Sequence, residues 1–158
     1  MITENEKFGT MKEYSVLLLF EKNDIILTKR DYKYDIIDFY YDTDTRFYEI
    51  ELKTRKTTLN QYPTTILAKN KILYYIRKKN NNQYDKTPAF FIIFGFPTET
   101  NGDEYEYYYI QYTKSKFKDF DIFENRFEDF KKYYKIPIDM LRPIDDLISI
   151  LKNSTYMP

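Results

Sequence analysis

Polar and apolar positions along the chain fall into a small number of rhythms. Residues 8–22 (FGTMKEYSVLLLFEK) mix the two at helical spacing, and Thr10 with Glu13 three residues on has the form of an N-terminal capping box. Residues 24–30 (DIILTKR) predict a short strand. Residues 34–42 (YDIIDFYYD) and 46–55 (RFYEIELKTR) are rich in β-branched and aromatic side chains and flank the polar Asp42-Thr43-Asp44-Thr45, which predicts a β-hairpin. Residues 63–79 (PTTILAKNKILYYIRKK) predict a helix with Pro63 in its first turn, ended by Asn80-Asn81-Asn82. The unbroken apolar run at 88–96 (PAFFIIFGF) predicts a strand covered on both faces. A further strand is expected at 104–113 after the Asn101-Gly102 turn, then helices at 118–134 and 143–152. Together these elements predict an α/β fold: one mixed central β-sheet flanked by helices in a single domain over 1–158, with a core at about 8–113 and a helical extension over 114–158.

Composition narrows the chemistry. The chain has neither Cys nor His. That excludes disulfides, thiolate zinc sites, a Cys nucleophile and the commonest general base. Any metal site must use oxygen ligands, which favours a hard cation such as Mg²⁺ or Mn²⁺. No apolar run approaches the roughly 18 residues of a membrane span, and the polar, acidic start is unlike a secretory leader, so an intracellular protein of cytoplasm or nucleus is expected. Net charge is zero, yet every charged residue between Lys53 and Asn80 is basic.

The hairpin carries the sharpest pattern. A two-residue loop at Asp44-Thr45 sets Thr43 opposite Arg46 and therefore Asp38 opposite Glu51, with Lys53 on the same face. Glu49, Glu51, Lys53 and Arg55 then project one way, while Ile50 and Leu52 project the other way, across from Ile37, Phe39 and Tyr41. One face is thus expected to be core and the other charged. Facing carboxylates repel unless something neutralises them, and a divalent cation is the natural neutraliser.

Asp38 followed by Glu51-Leu52-Lys53 resembles the motif of the PD-(D/E)XK nuclease superfamily. The Pro of that name is replaced by Ile37. The tripeptide alone carries little weight, since Asp31-Tyr32-Lys33 and Asp129-Phe130-Lys131 also match it. The stretch Tyr62-Pro63-Thr64-Thr65 through Lys71 is similar to the helix start after the motif in phage and viral members, and Glu13 sits where some resolvase-like branches carry an acid. The resemblance implies a restriction-endonuclease-like core of order αβββαβ plus C-terminal additions. It also implies a nuclease with Asp38, Glu51 and Lys53 as catalytic residues. Mg²⁺ or Mn²⁺ would be held by Asp38, Glu51 and the carbonyl of Leu52. Arg55, Lys56, Lys69 and Lys71 would contact nucleic acid, DNA ahead of RNA. Glu13 and Tyr62 are auxiliary candidates, and members of the superfamily often form homodimers.

Blander readings stay open at this level. The Asp38–Glu51–Lys53 set is also what a solvated hairpin face with cross-strand ion pairs would carry. The basic run suits an ordinary soluble helix. The alternatives to a nuclease are a nuclease fold that has lost catalysis and serves as a nucleic-acid- or protein-binding module, and a small viral or host-defence inhibitor of unrelated fold.

Overall fold

The computed structural model describes residues 3–30 and 37–155. In chain order the elements are α1 (Glu4–Glu21), β1 (Thr28–Lys29), β2 (Phe39–Asp42), β3 (Arg46–Thr54), β4 (Thr64–Ala68), α2 (Lys69–Asn80), β5 (Thr87–Pro97), β6 (Tyr105–Gln111), α3 (Lys114–Phe117), β7 (Ile122–Asn125), β8 (Lys131–Pro137), β9 (Arg142–Pro143) and α4 (Ile144–Thr155). Six strands form one sheet in the order β1-β2-β3-β5-β6-β9. β3 and β5 are parallel and the other neighbours antiparallel, so the sheet is mixed, as expected. A second sheet of three strands runs β4-β8-β7.

The large sheet is buried on both faces. Against one face pack Val16 and Phe20 of α1 and Leu147 and Leu151 of α4, meeting Phe39, Ile50, Leu52, Phe91 and Ile93. Against the other pack Ile72 and Tyr75 of α2, with Leu67 and Ile136 of the small sheet, meeting Phe90, Ile92 and Phe94. β5 supplies both clusters from alternate positions, which is why its sequence is apolar throughout. Each buried Phe or Ile contributes about 2–3 kcal/mol by removal from water. Gly95 of β5 lies opposite Tyr107, where a Cβ would stand 2.8 Å from a ring carbon, so only glycine lets that ring lie flat over the strand.

The hairpin register is the one that the turn predicts. Thr43 N–H donates to the Arg46 carbonyl at 2.9 Å, and the ladder runs Tyr40↔Glu49 and Phe39↔Ile50. Ile37 departs from its expected place: it sits in the cluster beneath α2, because the chain leaves strand geometry before Phe39. The charged face is not solvated either: Glu49 and Glu51 are buried, with Arg30 on the first and Lys71 of α2 on the second.

Other expectations need correction. The first helix starts at Glu4, so Thr10 lies inside it rather than capping it. The strand expected at 24–30 is only Thr28–Lys29. Residues 34–36 of the expected 34–42 strand, and the Asp31-Tyr32-Lys33 match, lie outside the described residues. The helix expected at 63–79 splits: Thr64-Thr65-Ile66, β-branched and just after Pro63, pairs with β8 as β4, and α2 starts only at Lys69. The stretch 118–134 is not helical. It forms β7, a 3-10 turn at Arg126–Glu128 and β8, with Asp129 and Phe130 both in the left-handed region at φ 51° and 59°. The described part of the expected extension, 114–155, is therefore not all helical. It completes the second sheet and supplies α4, which covers the outer face of the first.

Candidate active site

Asp38 immediately precedes β2 and is half-buried. The ladder ends at Phe39↔Ile50, one residue short of the expected Asp38–Glu51 pair, but Asp38 remains near enough for its charge to act on Glu51. Its main-chain carbonyl accepts the Arg30 N–H at 2.9 Å, and its Oδ2 accepts the Leu52 N–H at 2.9 Å. The side chain thus takes over where the backbone ladder between β2 and β3 stops. An extended residue points its N–H and C=O to the same strand edge, so the Leu52 carbonyl faces the edge that Asp38 occupies.

Glu51 is 1% exposed, roofed by α2 and flanked by Ile92 of β5. Its Oε1 takes two cations: Lys53 Nζ at 3.4 Å from its own strand and Lys71 Nζ at 3.3 Å from the first turn of α2. Its Oε2 is buried without a hydrogen-bond partner. Burial, and next the Asp38 carboxylate, push the Glu51 carboxyl up to about 7, with Lys53 and Lys71 pulling the other way. The raised carboxyl and its orphaned oxygen belong to one buried side chain, and such a group calls for a partner.

The donor set suits a hard divalent cation. It offers two carboxylates of which one has an unsatisfied buried oxygen, a main-chain carbonyl on the same edge, and no nitrogen or sulfur ligand. Among the described residues no three acidic, His or Cys side chains converge as a ready cage. A two-carboxylate site of this kind suits an ion that keeps several waters, as Mg²⁺ does.

The remaining candidates divide. Lys71 joins the pair directly. Arg55 does not face outward: its Nε donates to Thr65 Oγ1 at 3.0 Å, its guanidinium also donates to the Ile66 carbonyl, and it packs 5.6 Å from the Phe94 ring centre. It ties β3 to β4 instead of reaching a ligand. Lys56 is exposed beyond the end of β3, and Lys69 lies 5.6 Å from the Tyr134 ring centre. Tyr62 is 57% exposed in the link before β4 and lines a shallow depression with Arg55 and Phe96. Glu13 is not brought to the pair: α1 packs on the opposite face of the sheet, where Glu13 meets Lys29 at 3.0 Å. Glu49, on the same face as Glu51, is fully buried and receives both terminal nitrogens of Arg30. Sequence offers no sign of that pair, whose members are far apart and in no recognisable spacing. No protein-family model and no curated protein sequence matches the chain.

Proposed function

We propose that the chain is a metal-dependent phosphodiesterase acting on nucleic acid, DNA ahead of RNA, with a PD-(D/E)XK-type site on a restriction-endonuclease-like core. The observation that carries this reading is the buried, partnerless Oε2 of Glu51 beside Asp38, with Lys53 two residues along the same strand face. Element order lends support: α1, three strands of the large sheet, then β4 of the small sheet and α2, then a strand parallel to the third.

In this reading Asp38, Glu51 and the Leu52 carbonyl hold Mg²⁺ or Mn²⁺. When bound, the ion lowers the pKa of a water and offsets charge on the phosphate oxygens. Asp38 is fixed for the task by the Leu52 N–H. Lys71 holds one oxygen of Glu51 in place and leaves the other for the ion. Lys53, a third exposed at its side chain, is the cation that can leave Glu51 and hold the attacking water or a phosphate oxygen. The test is cleavage of single-stranded, duplex and branched DNA and of RNA with Mg²⁺ or Mn²⁺. Cleavage that Lys53→Ala abolishes is expected, and intact substrates throughout would reject the proposal.

A second reading has one observation in its favour. Lys53 and Lys71 already neutralise Glu51 between them, as they would in a nuclease fold that retains the site's charges but binds no metal. Calorimetry separates the two, since this reading expects no Mn²⁺ binding that depends on Asp38 and Glu51.

A further inference from the structure

A cavity of 610 Å³ opens beside the far end of α2, between the start of β5, the end of β6 and α3. None of Asp38, Glu51 and Lys53 lines it. Along α2 the cavity begins at Tyr75, one turn or about 6 Å beyond Lys71, and reaches Lys79, about 12 Å beyond it. Its volume falls in the range of small-molecule sites.

The lining has two parts. Its inner wall is aromatic: the Tyr75 and Tyr112 ring centres are 5.9 Å apart, Tyr112 and Phe117 5.0 Å, and Phe117 and Tyr134 5.2 Å. The rings meet edge to face; Tyr75 and Phe117 are buried behind the wall, and the half-exposed Tyr112 and Tyr134 are the rings open to a planar guest. Its rim is cationic: Lys79, one turn beyond Tyr75 on α2, and Lys114 and Lys118, one turn apart at α3, all exposed. No carboxylate lines the cavity. Among the described residues none of these three lysines is in an ion pair, in a chain that has as many acids as bases. Three unneutralised cations around an aromatic pocket repel one another and gain from an anion that also has a flat ring.

We infer that this cavity binds a nucleotide, with the base against the half-exposed rings of Tyr112 and Tyr134 and the phosphate among Lys79, Lys114 and Lys118. The same chemistry is offered by a free nucleotide and by the phosphorylated end of a strand. The site is independent of the carboxylate pair and does not rest on a nuclease activity.

Calorimetric titration tests this with adenosine 5′-monophosphate, adenosine, inorganic phosphate, and a short oligonucleotide with and without a 5′-phosphate, all without divalent metal. The monophosphate or the phosphorylated strand is expected to bind at least tenfold more tightly than adenosine or phosphate alone. Preference for the strand places a chain end in the cavity, and preference for the monophosphate places a free ligand there. The K79Q/K114Q/K118Q variant, whose changes lie on exposed side chains, is expected to keep its thermal midpoint and weaken binding at least tenfold. Asp38→Asn is expected to bind as the unaltered protein does. Absence of saturable binding at millimolar nucleotide would overturn the inference, as would binding that survives the triple change or is lost with Asp38→Asn.

Discussion

The Nζ of Lys71 stands 3.3 Å from Oε1 of Glu51, an ion pair from helix to strand across the roof of a buried carboxylate. Removing one member of such a pair leaves the other under-compensated. Here Lys53 remains, and Glu51 can take a proton instead. Lys71→Met is therefore expected to lower stability by about 1–3 kcal/mol at pH 8, where Glu51 is ionised, and by less at pH 5, where it is neutral. Urea denaturation at the two pH values measures the difference, and equal losses at both would contradict the pairing.

Glu51 also sets a pH dependence of stability. Its carboxyl has an ordinary value of 4.5 and is pushed up to about 7 in the folded chain, by burial first and Asp38 second. Between those values the folded protein holds a proton that the unfolded chain has released. Stability attributable to this group is therefore full below pH 4.5, falls as pH rises toward 7, and stays flat above. At about 1.4 kcal/mol per pH unit the fall amounts to at most about 3–4 kcal/mol. Glu51→Gln abolishes this component, so its urea midpoint relative to the unaltered protein should rise from pH 5 to pH 8.

Asp38 has a structural duty as well as its proposed chemical one. Asp38→Asn keeps an oxygen acceptor for the Leu52 N–H and is expected to fold with little loss of stability. Asp38→Ala loses that bond, at a cost of about 1–2 kcal/mol. Both are expected to reduce metal-dependent cleavage by more than about 100-fold, on the scale of losing a principal electrostatic group. Paired unfolding and cleavage assays separate the duties, and an Asn variant that cleaves normally would remove Asp38 from the chemistry.

Arg55 tests the opposite assignment. Its bonds to Thr65 and the Ile66 carbonyl make it a tie between the two sheets. Arg55→Leu is expected to lose about 2–3 kcal/mol in denaturation. Nucleic-acid affinity per folded molecule should stay within about twofold, with no change in its salt dependence.

Gly95 offers a packing test with a built-in rescue. Gly95→Ala brings a methyl group to 2.8 Å from the Tyr107 ring and 3.3 Å from Thr54 Cγ2, and a loss of about 1–3 kcal/mol is expected. Combining it with Tyr107→Ala clears the ring. The double variant should then lose less than the sum of the two single changes, as a double-mutant cycle on the unfolding free energy would record.

What the sequence made legible was local. The Asp42–Thr45 turn sits between two stretches of strand character, and a side-chain period of two then decides which residues share a face with Glu51. The apolar run at 88–96 reads directly as a covered central strand. What it concealed was non-local. Thr64–Ala68 is too short to show a period of its own and borrows the helical pattern of Lys69–Asn80, and its identity as a strand depends on residues 133–137 far along the chain. Lys131–Pro137 is equally ambiguous, because its aromatic and charged composition suits either element until the left-handed Asp129-Phe130 turn is known. The site inherits both limits. Asp38, Glu51 and Lys53 follow from one hairpin, whereas the placement of Lys71 on Glu51 and the loss of Arg55 to β4 depend on where α2 begins.

The pairing of β4 with β8 has a consequence for biogenesis. A nascent chain that has emerged only as far as β6 already has β3, β5 and the lysine above Glu51, yet it lacks the strand that anchors the start of α2. Such long-range closure slows folding, and until it occurs Leu67 and the aromatic wall around Phe117 have no Ile136 to cover them. A chain truncated before β8 should therefore be a substrate for chaperones and proteases.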